Sequence, residues 1–177
     1  PGHTQESSTF LLKDENGKDY AIFTGDTLFI GDVGRPDLAV KSDLTQDDLA
    51  SMLFDSLRNK IMPLDENIIV YPGHGAGSAC GKNMSTDTVD TLGNQKETNY
   101  ALNQPNKEAF IEAVTDGLLP PPAYFGANVA MNKKGYKNVD EVINQGKTTL
   151  SPKEFETAAE STGALILDTR KAADFHK

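Results

Sequence analysis

Tyr20-Ala21-Ile22-Phe23-Thr24-Gly25-Asp26 and, further on, Asn67-Ile68-Ile69-Val70-Tyr71-Pro72-Gly73-His74 are the two stretches that decide the fold. Each is an apolar, β-prone run that stops at glycine followed by a polar residue able to bind a metal. Glycine lets the backbone turn sharply as it leaves a strand, so the next side chain can point into a cleft. Between the two runs, Thr45 with Asp48 three residues later reads as a helix start. Leu49, Met52, Leu53 and Leu57 then recur at helical spacing, and Pro63 ends the element. Strand, helix, strand in this order is an α/β pattern.

Upstream of the first run, Thr9 to Leu12 is another β-prone stretch. Asp14-Glu15-Asn16-Gly17-Lys18-Asp19 separates the two, with Asn-Gly at its centre, which reads as a hairpin. Downstream, Gly75 to about Asn103 reads as polar and helical, and Lys107 to Thr115 as a helix stopped by Gly117. Pro120-Pro121-Pro122 is a rigid break. Residues 128–147 are mixed and polar, with one small helix at Val139 to Gln145. Ser151-Pro152-Lys153-Glu154 is a strong helix start, and Ala164 to Asp168 reads as a buried-type strand.

Composition narrows the function classes. The chain has 177 residues, enough for one domain and part of another. Seventeen Lys+Arg against 26 Asp+Glu give a formal net charge of -9, which argues against phosphate-driven binding to nucleic acid. No apolar run approaches the roughly 20 residues of a membrane span. The single cysteine, Cys80, excludes an intrachain disulfide and fits a reducing cytoplasm. The chain opens at Pro1-Gly2-His3 and stops at Phe175-His176-Lys177, and both ends read as cuts in a longer protein.

His3 in Pro-Gly-His-Thr, Asp26 in Thr-Gly-Asp-Thr and His74 in Pro-Gly-His-Gly each follow glycine at a strand or loop end. Imidazole and carboxylate together suit Zn, Fe or Mn. Each motif alone also reads as an ordinary turn or loop, and spacing by itself leaves both readings open.

Pro1-Gly2-His3-Thr4, Phe23-Thr24-Gly25-Asp26-Thr27-Leu28-Phe29 and Tyr71-Pro72-Gly73-His74, in this order, resemble the second half of the metallo-β-lactamase fold. Gly31-Asp32-Val33-Gly34-Arg35-Pro36-Asp37-Leu38 resembles a loop of its persulfide dioxygenase branch, close to glyoxalase II. Pro36 stands where relatives carry Thr. Leu119-Pro120-Pro121-Pro122 through Asn128-Val129-Ala130-Met131-Asn132 resembles the end of that catalytic domain. Gly163-Ala164-Leu165-Ile166-Leu167-Asp168-Thr169-Arg170, behind its capped helix, resembles the opening of a rhodanese-like domain.

The resemblance implies an αββα sandwich, of which residues 1–132 are the C-terminal half. A linker at 133–147 and the start of a rhodanese-like α/β domain at 148–177 would follow. The superfamily's first metal motif, of His-x-His-x-Asp-His type, would lie before Pro1. It implies Fe(II) held by His3, Asp26 and an upstream His, with Zn2+ as the alternative in a glyoxalase II-type hydrolase. The implied reaction oxidises glutathione persulfide, or another low-molecular-weight persulfide, with O2 and water to sulfite and thiol. His74 is expected beside the metal as a catalytic residue, or as a ligand where a second metal is bound. Arg35 is expected to clamp the thiol carrier's carboxylate, the alternative being a surface arginine paired with Asp32 or Asp37. Cys80, near Lys82, is expected to relay sulfane sulfur, the alternative being a buried thiol. An apolar sheet face left uncovered by the absent half is expected to drive association, including homo-oligomers. The 177-residue segment alone is expected to be inactive, and a purely structural or interaction role is the third reading.

Overall fold

The computed structural model describes residues 1–40, 43–147, 149–168 and 170–175. The chain divides into two compact units, Pro1–Ala123 and Tyr124–Lys177. Thr148, Thr169, His176 and Lys177, all within the stretch read as a rhodanese-like opening, lie outside the described residues.

The first unit is a mixed α/β structure around a four-stranded sheet of order β1-β2-β3-β4. Strands β1 (Phe10–Lys13) and β2 (Asp19–Gly25) form the expected antiparallel hairpin. Its turn is longer than a two-residue Asn-Gly turn. Asp14 N donates to Lys18 O (2.8 Å), Asp14 Oδ1 accepts from the Asn16 and Lys18 amides (both 2.9 Å), and only glycines adopt positive φ. Asn16 therefore cannot take the left-handed conformation a type I′ turn needs, and the Asp14 side chain organises the loop instead.

Helix α1 (Gln46–Ser56) crosses from β2 to β3 (Ile69–Pro72), and the two strands are parallel. The Thr45–Asp48 capping box is complete, with Asp48 Oδ2 accepting from the Thr45 amide at 2.9 Å. A π-helical turn, Leu57–Ile61, prolongs α1 and keeps Leu57 and Ile61 buried. Strand β4 (Asp90–Thr91) closes the sheet, then α2 (Leu92–Thr98) and α3 (Lys107–Thr115) follow. The stretch from Gly75 to Val89, expected as largely helical, is loop.

Ile22 and Val70 from the sheet pack with Ala50, Leu53 and Leu57, and with Leu92 and Phe110 of the later helices, in one core. The opposite sheet face carries Phe10, Leu12, Phe23 and Tyr71, paired across the strands. Phe10 is 71% exposed and Phe23 46% exposed. Phe23 and Tyr71 stack with centroids 5.2 Å apart. These exposed side chains make an apolar patch on this side of the sheet.

The second unit contains α4 (Phe125–Lys134), α5 (Val139–Gly146), α6 (Pro152–Thr162) and α7 (Ala172–Phe175). Helix α4 lies in sequence that reads as polar and irregular, with no side-chain cap to mark its start. Helix α6 has the expected capping box on Ser151 and Glu154 and ends on Gly163 in the left-handed region. Ala164 to Asp168 forms no strand, and Leu165 is 81% exposed. A strand needs a neighbour to take its backbone hydrogen bonds, and none is present among the described residues.

Among the described residues no helix is long and apolar enough to cross a membrane.

Candidate metal centre

Parallel pairing explains why Asp26 and His74 meet. Strands β2 and β3 run the same way, so the residues just beyond Gly25 and Pro72 leave at the same carboxyl edge. Gly73 N donates to Gly25 O at 2.8 Å, which locks the two exits together. Asp26 then faces both histidines. Its Oδ1 lies 2.8 Å from His74 Nδ1, and its Oδ2 lies 3.1 Å from His3 Nε2.

His3 reaches this point because the chain before β1 is pinned to α1. Ser56 Oγ donates to Pro1 O at 2.8 Å, and a Cβ on Gly2 would fall 2.4 Å from Leu53. The His3 ring is 8% exposed, and its Nδ1 lies 2.8 Å from Arg35 O. A carbonyl can only accept, so Nδ1 carries a proton and donates. In the neutral ring Nε2 then presents a lone pair to the Asp26 carboxylate. Two facing lone pairs at 3.1 Å require a shared proton or a cation between them. That is the donor arrangement of a metal site, including the outer carbonyl that orients the imidazole.

Burial pushes the Asp26 carboxyl up, but the hydrogen bond and charge of His3, then those of His74, outweigh it and hold it below the ordinary range. The carboxylate form that ligates metal is thus the stable one. Close approach of the glycine-rich loop completes the setting. A Cβ on Gly34 would fall 1.9 Å from Asp26 O, so only glycine fits there.

Cys80 joins the pair. Donor atoms of His3, Asp26 and Cys80 all lie within 4.8 Å of one another, and His74 is outside this group. His74 instead packs edge-on to Phe29 and is 42% exposed at its side chain. Cys80 is held by its own carbonyl, which accepts from Arg35 N at 2.9 Å. Lys82 does not favour a thiolate at Cys80, because its ammonium is engaged elsewhere. Lys82 Nζ donates to Ala113 O (2.7 Å) and Asp116 O (2.8 Å). Burial pushes the Cys80 thiol up, opposed by Ser78, with the Asp26 charge adding to the rise. In the metal-free protein the thiol is the stable form.

Arg35 pairs with Asp37, one of its two expected partners, but it is buried instead of lying at the surface. The guanidinium is 5% exposed and forked onto Asp37, with Nε–Oδ1 and Nη2–Oδ2 both 2.6 Å. Nη2 also donates to Leu119 O at 2.6 Å. The fork that would clamp a substrate carboxylate is already filled, so Arg35 as it stands holds the loop.

Sequence reading missed Asp32, Gln95, Asn99 and Tyr100, which tie this loop to α2 from within the core. Gln95 Oε1 accepts from Gly31 N at 2.8 Å, and Asn99 Nδ2 donates to Asp32 O at 3.0 Å. The only signal was the run of polar residues inside an otherwise core-facing stretch.

No family profile matches the sequence. A structure titled metallo-beta-lactamase from Staphylococcus aureus superposes with a TM-score of 0.69 at 38% identity, over 77% of this chain and 39% of that one. The mitochondrial persulfide dioxygenase ETHE1 of Mus musculus is 31% identical over 134 residues, which is 76% of this chain and 45% of that protein. The hydroxyacylglutathione hydrolase GloC of Haemophilus influenzae is 34% identical over 103 residues, 58% of this chain and 38% of that protein. The chain spans less than half the length of these relatives.

Proposed function

We propose, for a chain whose fold is that of the metallo-β-lactamases, that it is the metal-bearing carboxyl part of an Fe(II)-dependent persulfide dioxygenase. The observation that carries this is the His3–Asp26 pair, whose facing atoms 3.1 Å apart are spaced as two ligands of one cation are, although a shared proton also satisfies them. The 134-residue match to a persulfide dioxygenase supports the branch. In this reading an upstream motif supplies the third ligand, and residues 148–177 open a rhodanese-like sulfurtransferase domain after a linker at 133–147. The single thiol fits a reducing compartment such as the cytoplasm.

An iron held by His3 and Asp26 would supply the redox chemistry by which O2 and water convert glutathione persulfide, or another small persulfide, to sulfite and free thiol. The protein side of the chemistry falls to few residues. Arg35 O accepts from His3 Nδ1, so Nε2 is the nitrogen turned toward Asp26. Asp26 is held ionised by both histidines. His74 hydrogen-bonds Asp26 through Nδ1 and leaves Nε2 free to hold or move a proton at the substrate. Cys80, at the rim of the site, is placed to accept sulfane sulfur. Arg35 would reach a carrier's carboxylate only by releasing Asp37.

One observation favours a second reading, a zinc hydrolase of glyoxalase II type. Asp26 reaches both histidines with separate oxygens, as a carboxylate bridging two metals would. Oxygen uptake separates the two. The chain extended upstream to include the metal motif is loaded with Fe(II) and given glutathione persulfide. The dioxygenase reading expects O2 consumption with sulfite, lost in His3→Ala and Asp26→Ala. Thioester cleavage with zinc and no O2 uptake would transfer the assignment to the hydrolase.

A further inference from the structure

Asp32 lies outside the donor set, yet it is the most completely engaged carboxylate near it. Its side chain is fully buried. Oδ1 accepts from the Val33 amide (2.8 Å) and the Tyr100 hydroxyl (2.9 Å). Oδ2 accepts from the Lys82 and Asn83 amides, both at 2.6 Å. None of these donors is a cation. A buried charge without a counter-charge is tolerated only when its lone pairs are filled in this way. Two successive amides aimed at one oxygen form a small anion nest. Burial and then the Asp32 charge push the Tyr100 hydroxyl far up, so it remains a donor.

The donors come from three places in the chain: the glycine-rich loop, the 80–83 loop and the segment after α2. The 80–83 loop carries Cys80. Gly81 lies so close that a Cβ there would sit 2.9 Å from Asp32 Oδ2. Three residues beyond Asp32, Arg35 grips both sides of the centre through its peptide groups. Its N–H donates to Cys80 O, and its carbonyl accepts from His3.

We propose that Asp32 is a positioning residue: its carboxylate, latched by Tyr100, holds the 80–83 loop down and so fixes Cys80 against the His3–Asp26 pair. The inference rests on the function proposed above only in treating Cys80 as a sulfur carrier.

The chain has a single cysteine, so alkylation by iodoacetamide reads the loop directly. Asp32→Asn keeps the shape but turns an NH2 toward an N–H or O–H donor. It is expected to raise the native-state alkylation rate about tenfold or more, because hydrogen bonds to a charged group are lost from the closed loop. Tyr100→Phe removes one donor of the four and is expected to raise the rate about threefold. Leu49→Ala weakens the core on α1 without touching the loop and is expected to leave the rate unchanged. An Asp32→Asn rate equal to wild type would overturn the proposal. So would an equal acceleration in Leu49→Ala. Should Asp32→Asn fail to fold, Tyr100→Phe decides, and an unchanged rate there overturns the proposal. None of these readouts needs metal or turnover, so the dioxygenase reading can fail without touching the result.

Discussion

Helices α1 and α6 start with the same device and come to different ends. Each has a complete capping box, on Thr45 and Asp48 or on Ser151 and Glu154. Helix α1 buries Leu49, Ala50 and Leu53 against a sheet, whereas α6 buries nothing. The same contrast holds between the units: no helix of the second has a buried residue. Capping sets where a helix begins, and packing sets how much it is worth. Among the described residues, the candidate metal cluster of His3, Asp26 and Cys80 lies in the packed unit.

The largest expected effect is in the core. Leu53→Ala should cost about 2–5 kcal/mol in chemical denaturation, while Phe155→Ala on α6 should leave the transition unmoved. A comparable loss from Phe155→Ala would break the contrast. Next comes the uncovered sheet face. Phe23→Ser and Tyr71→Ser each remove apolar contact worth about 1.5–3 kcal/mol when buried. Light scattering of the 177-residue chain should show concentration-dependent association that these variants reduce. A monodisperse wild-type chain would contradict the role given to that face.

A smaller effect compares the caps themselves. Thr45→Ala should destabilise the first unit by about 1 kcal/mol, and Ser151→Ala should change local helicity alone. Equal shifts in the melting temperature would show that α6 is tied into the cooperative unit after all. The smallest effect is that of pH on Asp26. Its folded pKa lies below the ordinary 3.8. Its stabilising contribution is therefore full above that range and is lost as pH falls through the lower folded value. Urea midpoints of wild type and Asp26→Asn should diverge above about pH 4 and converge in stronger acid. Divergence that grows on acidification would reverse the sign.

Much of the first unit was legible because local signals and burial agree there. The Thr45 cap, the Leu49 and Leu53 spacing, and the Gly-Asp and Gly-His strand ends each name both an element and its neighbour. Asp26 and His74 meet because the parallel strands β2 and β3 deliver both to one edge. What failed depended on partners distant in sequence. Ala164 to Asp168 has the composition of a buried strand but no neighbour to pair with among the described residues. Lys82 stands two residues from Cys80 but spends its charge on the carbonyls of Ala113 and Asp116. Arg35 could not be assigned until Leu119 and Asp37 were seen to fill its fork. The Asp32 nest was invisible because main-chain amides, which every residue has, make most of it.

In the proposed reading His3, from the loop before β1, and Asp26, at the end of β2, hold the metal, and His74 supports them without being a ligand. Metal content decides it most directly. The upstream-extended protein, loaded anaerobically with Fe(II) and desalted, should retain stoichiometric iron. It should lose that iron in His3→Ala and in Asp26→Ala, and keep it in His74→Ala. Iron retained without His3 or Asp26, or lost with His74, would contradict the account.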